Sequence, residues 1–466
     1  MSSVRDFGAV GDGRHDDSDA IQHAIDMGDG VVAFPPGDYL LTRTMEVDLR
    51  QRNRVGLTGS IGTARVIMAA AGPAFHLIGA HGGTAQPADF SPEAWQRERM
   101  PTATNLEIEG AHAEADGFLL EGTMQSTFEG VLLRKLRHGI RVTRRARNVL
   151  ISHCHIYHNT GIGVFLDEVN LHQAIISASH ISYCLAGGIK IVGSEIRNLQ
   201  ITGNDIEYNY DESAQESADV WIDSSADNAT VREATIASNT IQAKSSPGGA
   251  NIRIIGHNPQ DNHKAGMMAI SGNLIGSQEI NVHLVACRGV TVAGNVIYSG
   301  THRNLQLNGC RNIVIGPNSF DHNPDYRDKE LCTSVRIAES RDCTLTGTII
   351  QDSQAGQHTV AGVEPVERDG LLEIVRSRRI NVSGCEFLDG YPACVHIDSS
   401  DFVSLTGCTL TDGRTEKKTE HALVWRGNGS NNFLAANTIG RGTMGTTKID
   451  DRSGVKAGDN LIEENI

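Results

Sequence analysis

The sequence contains no run of about eighteen apolar residues, the length that a membrane-spanning helix requires, so we expect no membrane partner. Its first ten residues, MSSVRDFGAV, also lack the basic and apolar stretches that together form a secretory signal. The chain as numbered is therefore expected to be cytoplasmic, or secreted if a leader was removed before residue 1.

Positive charge is in deficit. The chain has 41 lysines and arginines against 56 aspartates and glutamates, which gives a formal net charge of −15. Nucleic-acid-binding proteins need a basic face to meet phosphates, so nucleic acid is not an expected partner. Nine cysteines are present without any C-x-x-C pair, which argues against a disulfide framework and against a zinc site.

Long helical patterns are also missing, and a repeat takes their place. Asn273, Asn295 and Asn318 follow one another at intervals of 22 and 23 residues, and Cys287 and Cys310 are also 23 residues apart. A period in the low twenties is typical of solenoid proteins. In this register each coil carries two short runs of alternating Ile, Val or Leu, such as NLQITGN (198–204) and GIKIVG (188–193).

One coil cannot bury its apolar face alone, whereas stacked coils bury it continuously. Turns rather than crossover helices join the runs, which favours a parallel β-helix over a doubly wound α/β fold. The sequence therefore predicts an all-β protein, a single-stranded right-handed parallel β-helix of roughly a dozen coils, with the hand taken from the general bias of parallel crossovers.

The recurring Asn is predicted to lie at a tight turn in the left-handed conformation, where its amide would hydrogen-bond to equivalent Asn side chains above and below. Cys154, Ser179, Cys385 and Cys408 occupy the same slot in other coils. We therefore interpret these cysteines as small buried members of the ladder.

A solenoid needs its ends covered. Residues 1–45 are predicted to form an N-terminal cap, in which a helix begins at Asp16, Asp17 or Ser18 and stops at Gly28. Residues 46–430 are predicted to form the coils, with a loop insertion at 82–105 that breaks the period. Residues 431–466 are predicted to form a closing segment.

The stretch VRDFGAVGDGRHDDSDAIQHAID, followed by GDGVVAFPPGDYLL, closely resembles the N-terminal signature of the pectate-lyase-like superfamily. The resemblance covers about the first 41 residues. It implies a right-handed parallel β-helix and a carbohydrate-active role, with an oligo- or polysaccharide as substrate. Some members form trimers, so it also implies a homotrimer as one expected assembly.

Outward side chains of consecutive coils form rows about 4.8 Å apart along a parallel β-helix. One row read from the sequence is Leu119, Arg141, Phe165, Lys190, Trp221, Arg253, His283, Gln306, Arg336, Glu373 and His396. The row two residues further along is Glu121, Thr143, Asp167, Val192, Asp223, Ile255, Val285, Asn308, Ala338, Val375 and Asp398.

The middle of these rows combines acids, bases and an aromatic ring, which is what a sugar-binding groove needs. The long segments 209–219 and 256–267 flank the same coils and are predicted to wall the groove. The predicted catalytic residues are Asp167, Lys190, Asp223 and Arg253. The predicted substrate-binding residues are Arg141, Phe165, Glu207, Tyr208, Asp219, Trp221 and His283.

Two reactions fit these residues. In β-elimination from a uronate, Lys190 would be the base, its pKa lowered by Arg253, and Asp167 and Asp223 would hold Ca²⁺ if the reaction needs calcium. In hydrolysis, Asp167 and Asp223 would form a carboxylate pair, as in a glycoside hydrolase or a fructotransferase-type enzyme. The sequence places β-elimination first.

No decisive catalytic motif is present. The paired-Asp strand and G-H-G run of polygalacturonase-like hydrolases are missing, and so is the D-P-H-E run of alginate epimerases. A non-catalytic glycan-binding or phage-tail-like β-helix is therefore a further alternative.

Overall fold

The structure, a computed structural model, describes residues 1–86, 88–257, 263–323, 325, 334–351 and 368–440. Of 441–466 it describes only the backbone of two strands. Helical segments are short: a 3₁₀ turn at Val4–Phe7, α1 (Ser18–Met27), α2 (Leu49–Arg52) and α3 (Pro92–Arg97). No helix among the described residues is long and apolar enough to cross a membrane.

Strands make up most of the rest of the described chain. The first are β1 (Ser2–Ser3), β2 (Asp12–Asp16), β3 (Val31–Phe34), β4 (Gly37–Leu41), β5 (Met45–Asp48), β6 (Gly56–Gly59), β7 (Ala64–Met68), β8 (Gly72–Ile78), β9 (Thr102–Thr104), β10 (Glu107–Gly110), β11 (Ala115–Met124), β12 (Thr127–Glu129), β13 (Leu132–Arg134), β14 (Ile140–Ser152), β15 (His155–Tyr157) and β16 (Ile162–Ser177). The next are β17 (His180–Ser182), β18 (Gly187–Val192), β19 (Glu195–Thr202), β20 (Asp205–Glu207), β21 (Ser217–Asp223), β22 (Thr230–Ala237), β23 (Thr240–Gln242), β24 (Gly249–Ile255), β25 (Ala265–Ser271), β26 (Leu274–Gly276), β27 (Ile280–Val285), β28 (Arg288–Ala293), β29 (Val296–Tyr298), β30 (Arg303–Asn308), β31 (Arg311–Ile315) and β32 (Ser319–Asp321). The last are β33 (Val335–Ala338), β34 (Arg341–Thr346), β35 (Ile349–Gln351), β36 (Leu372–Val375), β37 (Arg378–Ser383), β38 (Glu386–Leu388), β39 (Ala393–Asp398), β40 (Asp401–Thr406), β41 (Thr409–Thr411), β42 (His421–Gly427), β43 (Asn432–Ala435), β44 (Thr438–Ile439), β45 (Ile449–Ser453) and β46 (Asn460–Ile462).

The chain divides into two compact units. Unit 1 comprises Met1–Asp211 and Asp219–Thr235, and unit 2 comprises Glu212–Ala218 and Ile236–Ile466. In each unit the strands pair in parallel with strands of the next coil, for example β16 with β19 and β28 with β31. The predicted all-β parallel β-helix is confirmed.

The number of coils exceeds the predicted dozen. Unit 1 has eight successive short strands in one sheet, from β2 to β20, and the described part of unit 2 also has eight, from β23 to β44. The segment predicted as a separate cap contributes to this sheet, because β2 pairs with β4 and β4 pairs with β7. Parallel pairing also continues into 431–466, where β42 pairs with β45.

Alternation along each strand builds the core. Ile189 and Ile191 of β18 and Val220 and Ile222 of β21 are completely buried, and they pair directly across the two strands. Burying each such side chain contributes about 1.5–3 kcal/mol, which is why the period-two pattern determines which face points inward.

Unit 2 contains the predicted ladder of asparagines. The side-chain amide of Asn239 donates to Oδ1 of Asn273, that of Asn273 to Asn295, and that of Asn295 to Asn318, each at 3.0 Å. Each acceptor oxygen also receives the backbone N–H of the preceding Asn in the ladder. One column of side chains thus satisfies buried polar groups of four coils.

The smaller residues predicted for the same slot are also buried. In unit 1 the backbone N–H of Cys154 donates to Oγ of Ser179, and in unit 2 Cys385 and Cys408 are buried. One detail of the prediction was wrong, because the left-handed residue is the one before the Asn. Gly294 has φ of 70°, which leaves Asn295 free to point inward.

The first residues fold largely as predicted. Asp16 accepts the backbone N–H of Ser18 at the start of α1, and Gly28 follows its last turn. Asp17 is fully buried and accepts the N–H groups of Val10 and Gly11, so it ties the preceding loop to the helix. The insertion at 82–105 contains α3 and ends in β9.

We expect Asn295→Ala to lower the free energy of unfolding by about 3 kcal/mol, because it leaves buried partners on two neighbouring coils unsatisfied. Thr291→Ala removes an exposed side chain from the same coil and is the matched control. Guanidinium denaturation followed by circular dichroism measures both variants. Equal midpoints for the two would contradict a stabilising ladder.

Candidate functional site

The outward rows of unit 1 have the predicted register. Arg141 pairs with Phe165, Phe165 with Lys190, and Lys190 with Trp221. In the adjacent row, Asp167 and Asp223 each pair with Val192, which lies between them. We call the outward residues Arg141, Phe165, Asp167, Lys190, Trp221 and Asp223 the unit 1 strip.

Charged and aromatic groups of the unit 1 strip contact one another. Nε of Arg141 lies 2.9 Å from Oδ2 of Asp167, and its guanidinium lies 5.9 Å from the ring centre of Phe165. Nζ of Lys190 lies 4.2 Å from the ring centre of Trp221, within the range of a cation–π interaction. Trp221 is only 9% exposed, so little of this ring is open to a ligand.

The two aspartates do not fit a shared calcium ion. Asp167 is paired with Arg141, and Oδ1 of Asp223 accepts the backbone N–H of Ser225 at 2.8 Å. Two coil spacings separate their backbones by about 9.6 Å, whereas Ca²⁺ takes 6–8 oxygen ligands at roughly 2.3–2.6 Å. No group of three or more His, Cys, Asp or Glu suited to a metal ion occurs in the described part of the chain.

The other predicted contact residues of unit 1 differ in their roles. Asp219 is 1% exposed and accepts both the backbone N–H and the side-chain amide of Asn209, so it holds the turn rather than facing a ligand. Glu207 is partly buried, and this burial, with a smaller effect of Asp205, raises its pKa. Tyr208 stacks on Tyr183 with ring centres 5.6 Å apart.

In unit 2, Arg253 pairs in register with His283, as predicted. The prediction that Arg253 faces solvent was wrong, since it is only 4% exposed. Its Nη2 donates to the carbonyl of Gly248 at 2.6 Å, and its Nη1 lies 3.4 Å from Oε1 of Glu216. Burial, opposed by Glu216 and Glu279, lowers the pKa of Arg253.

His283 is a neutral imidazole at pH 7, because burial and the charge of Arg253 lower its pKa to about 4. Its Nε2 lies 3.1 Å from Oδ1 of Asn308, which fixes the orientation of the ring.

Glu279, which the sequence reading missed, lies beside Arg253 at the start of β27. It is 6% exposed, and burial raises its pKa to about 7. The amide groups of Gly248 and Gly249 and the charge of Arg253 act in the opposite direction. Much of the Glu279 population is therefore protonated near neutral pH, which is the form that a general acid needs.

Backbone and side-chain contacts hold Glu279 in place. Its carbonyl accepts the backbone N–H groups of His302 at 2.8 Å and of Arg303 at 3.0 Å. Its Oε2 lies 3.6 Å from Nδ1 of His302. Glu216, Arg253, Glu279 and His302 form what we call the unit 2 cluster.

Turn segments of unit 2 converge around this cluster. Ser217 and Ser246 are joined by a hydrogen bond of 2.9 Å between their hydroxyls, and Glu212 pairs with Lys244 at 3.0 Å. These contacts hold the segment that carries Glu216 against the turn before β24. The second predicted wall, 256–267, is described only in part, because 258–262 lie outside the described residues.

Position explains why Glu279 was missed. It precedes the alternating run of β27 by one residue, whereas the outward rows were read only within such runs. Because Ala250 pairs with Ile280, the equivalent residue of the preceding coil is Gly249. The sequence signal that could have identified Glu279 was a carboxylate at a position where the preceding coil has a glycine, Gly249.

Two further side chains of unit 2, which the sequence places in the outward row, are buried in the structure. His396, the last member of the outward row, is 1% exposed. Glu373 of the same outward row is completely buried, and Arg303 and Arg336 pair with it. Trp425 is completely buried.

Three cavities are lined by residues of unit 1. Two, of about 490 and 510 Å³, share Asp29 and Arg54 in their lining, and Arg52 of α2 and Gln96 of α3 also line the first of them. The third, of about 250 Å³, lies against β19. None of the three is lined by a residue of the unit 1 strip.

Residues 1–97 match a family model described as "Rhamnogalacturonase A/epimerase, pectate lyase-like". Residues 95–259 match another, described as "Right handed beta helix region". These matches confirm the resemblance to the pectate-lyase-like superfamily and the right-handed fold that the sequence predicted.

A short segment is 59% identical over 44 residues to Plasmin and fibronectin-binding protein A of Streptococcus pneumoniae. That match covers 8% of this chain and 6% of that relative, so the chain spans only a small part of it.

Solved structures resemble the chain in fold alone. The pre-mature gene product 12 of bacteriophage phi29 is similar with a TM-score of 0.56 and 14% identity, over 99% of this chain and 58% of that one. The A-module of an Azotobacter vinelandii mannuronan C-5 epimerase is similar with a TM-score of 0.45 and 14% identity, over 100% of this chain and 99% of that one.

The raised pKa of Glu279 makes stability depend on pH. Between 4.5, its ordinary pKa, and about 7, the folded chain holds a proton there that the unfolded chain has lost. Stability from this group is therefore fully present below pH 4.5 and falls as the pH rises through 7, by an amount on the order of 3 kcal/mol.

Denaturation of wild-type and Glu279→Gln chains across this pH range isolates the contribution, because the amide does not titrate. We expect the wild-type stability to fall more steeply than that of the variant. Parallel curves would contradict a protonated Glu279.

Proposed function

Since the chain belongs to the pectate-lyase-like superfamily, we propose that it is a carbohydrate-active enzyme that cleaves glycosidic bonds of an acidic oligo- or polysaccharide. Hydrolysis is the reaction that the unit 2 cluster supports best. The observation that carries this proposal is Glu279, a buried carboxyl that interacts electrostatically with Arg253, together with a second carboxyl, that of Glu216, which lies 3.4 Å from the guanidinium of Arg253. The rhamnogalacturonase and epimerase description matched by residues 1–97 supports a carbohydrate substrate.

The two carboxyl groups have different surroundings, as acid and base of a glycosidase require. Glu279 is buried and holds a proton, which it would donate to the leaving glycosidic oxygen. Glu216 has 58% of its side chain exposed and would accept a proton from the attacking water. The water oxygen then bonds to the anomeric carbon as the glycosidic bond breaks.

Arg253 and His302 act through these carboxyls as positioning residues. Arg253 contacts Glu216 and interacts with Glu279, so it sets the relative positions and charges of both groups. His302 lies against Glu279 and restrains its orientation.

The unit 1 strip is proposed as a substrate-binding surface. Lys190 offers a cation to a sugar carboxylate, the ring of Trp221 holds that ammonium in place, and Phe165 offers apolar ring surface. Arg141 is oriented by its pair with Asp167. This combination suits an acidic sugar better than a neutral one, despite the negative net charge of the chain.

β-Elimination is the second candidate, with Lys190 as base. The observation in its favour is the position of Lys190 between Phe165 and Trp221, in the same row as Arg141. Against it, the ring of Trp221 stabilises the protonated ammonium, and a base must be deprotonated. We propose no calcium site at Asp167 and Asp223, because those residues do not fit the ion.

Assembly as a homotrimer is a proposal that rests on the family resemblance. Sedimentation velocity over a range of protein concentrations would measure it directly.

We expect Glu279→Gln to reduce turnover of an acidic polysaccharide by about 10²- to 10⁴-fold, because the variant cannot supply the proton. Glu386→Gln makes the same change at an exposed carboxyl of unit 2 and should leave turnover unchanged. The assay screens uronate-containing polysaccharides and measures products by mass spectrometry. Full activity of Glu279→Gln would exclude it as the acid.

The same assay separates the three candidate functions. Hydrolysis adds the mass of one water for each bond cleaved. Elimination adds no mass and produces the ultraviolet absorbance of an unsaturated uronate. Saturable binding without any product would favour a non-catalytic glycan-binding β-helix.

Trp221→Ala is expected to weaken binding of an acidic oligosaccharide by about 5- to 10-fold, since Lys190 loses the ring that holds its ammonium in place. Lys190→Met should also weaken binding while keeping the long apolar stem. Phe402→Ala removes an exposed ring that Arg378 contacts in unit 2 and is the control. Calorimetric titration with thermal melts of each variant tests this, and unchanged affinity in both strip variants would contradict the surface.

A further inference from the structure

Unit 1 contains a small polar cavity that the proposed reaction does not use. Its volume is about 250 Å³, and part of the insertion that follows β8 covers it. Its lining residues are Ala85, Gln86, His172, Glu195, Arg197, Asn198 and Glu233. We call this cavity the unit 1 pocket.

Strand register places the polar groups of the pocket on neighbouring coils. Asn170 pairs with Glu195, and His172 pairs with Arg197, so acid and base alternate along β19. The side-chain amide of Asn170 donates to Oε2 of Glu195 at 2.6 Å, which fixes that carboxylate. Nη2 of Arg197 lies 3.8 Å from the other oxygen of Glu195.

His172 gives the strongest sign that the pocket receives a ligand. It is 5% exposed, and its Nδ1 has no hydrogen-bond partner among the described residues. The carbonyl of Ala85 accepts a hydrogen bond from the ring, which leaves Nδ1 of the neutral imidazole as an acceptor. A buried polar atom without a partner is unfavourable unless a ligand or water satisfies it.

The lining excludes several classes of ligand. Two carboxylates, Glu195 and Glu233, would repel an anion. No metal-binding group of three suitable side chains occurs among the described residues. Charged groups on both sides of the cavity disfavour an apolar molecule, and the volume is too small for an oligosaccharide to enter whole.

We propose that the unit 1 pocket binds a single uncharged sugar residue. Hydroxyl groups of a sugar both donate and accept hydrogen bonds, and the pocket offers partners of both kinds. Glu195, Glu233 and Nδ1 of His172 accept from hydroxyls, while the side chains of Arg197 and Asn198 donate to sugar oxygens. Arg197 also partly neutralises Glu195, so an uncharged ligand adds no further charge to the pocket.

This binding is separate from the proposed hydrolysis, because none of the pocket residues belongs to the unit 2 cluster. The pocket would hold a neutral unit of a mixed polysaccharide, or a neutral branch of an acidic one. A binding measurement tests the inference even if the chain hydrolyses nothing, so failure of one proposal is distinguishable from failure of the other.

The experiment titrates the full chain with galactose, glucose and mannose, and with galacturonate and glucosamine, by ligand-observed NMR. We expect at least one neutral sugar to bind saturably, with a Kd on the order of millimolar. Glu233→Gln should weaken that binding about 10-fold, because the sugar hydroxyl loses a charged acceptor. The side chain of Glu233 is exposed, so its replacement should leave the fold intact. His172→Gln should also weaken binding.

Glu168→Gln replaces an exposed carboxyl elsewhere in unit 1 and is the matched control. Thermal melts verify that every variant is folded. Failure of all three neutral sugars to bind would overturn the proposal, and so would binding that neither Glu233→Gln nor His172→Gln weakens. Tighter binding of galacturonate or glucosamine than of any neutral sugar would overturn the assignment of an uncharged ligand.

Discussion

The parallel hydrogen-bonded register between one coil and the next is the constraint on which every site described here depends. Each coil adds about 4.8 Å, and the pairing fixes which residues of successive coils become neighbours. A slip of one residue would turn Lys190 inward and Ile191 outward. The buried Ile and Val columns and, in unit 2, the Asn ladder hold the register against such slips, so a surface strip of polar residues depends on the core beneath it.

Much of the fold was predictable from the sequence, because the features that determine it recur. The pairing of Phe165 with Lys190 and of Arg253 with His283 followed from spacing alone, and the structure confirms both pairs. The ladder position of Cys154 followed in the same way. Because the same weak pattern recurs in every coil, the register that fits many coils can be chosen even where one coil is ambiguous.

The features that could not be predicted lie outside the alternating runs, in the turn segments between strands. Glu279 stands one residue outside an alternating run, and Glu216 lies in a turn segment that has no counterpart of equal length in the next coil. The left-handed residue before Asn295 was misplaced by one position, because Gly and Asn both tolerate that conformation. The burial of Arg253 depends on turns that pack over the strand, and alternation along a strand contains no information about them.

Burial also determines which chemistry each group can perform. In unit 2, low exposure keeps His283 neutral and leaves much of the Glu279 population protonated near neutral pH. Had Glu279 been as exposed as Glu216, it would be ionised at pH 7 and two carboxylates would compete for one guanidinium. In the proposed hydrolysis, the difference in exposure between the two carboxyls would make Glu279 the acid and Glu216 the base, and that difference comes from turn residues that appear in no motif.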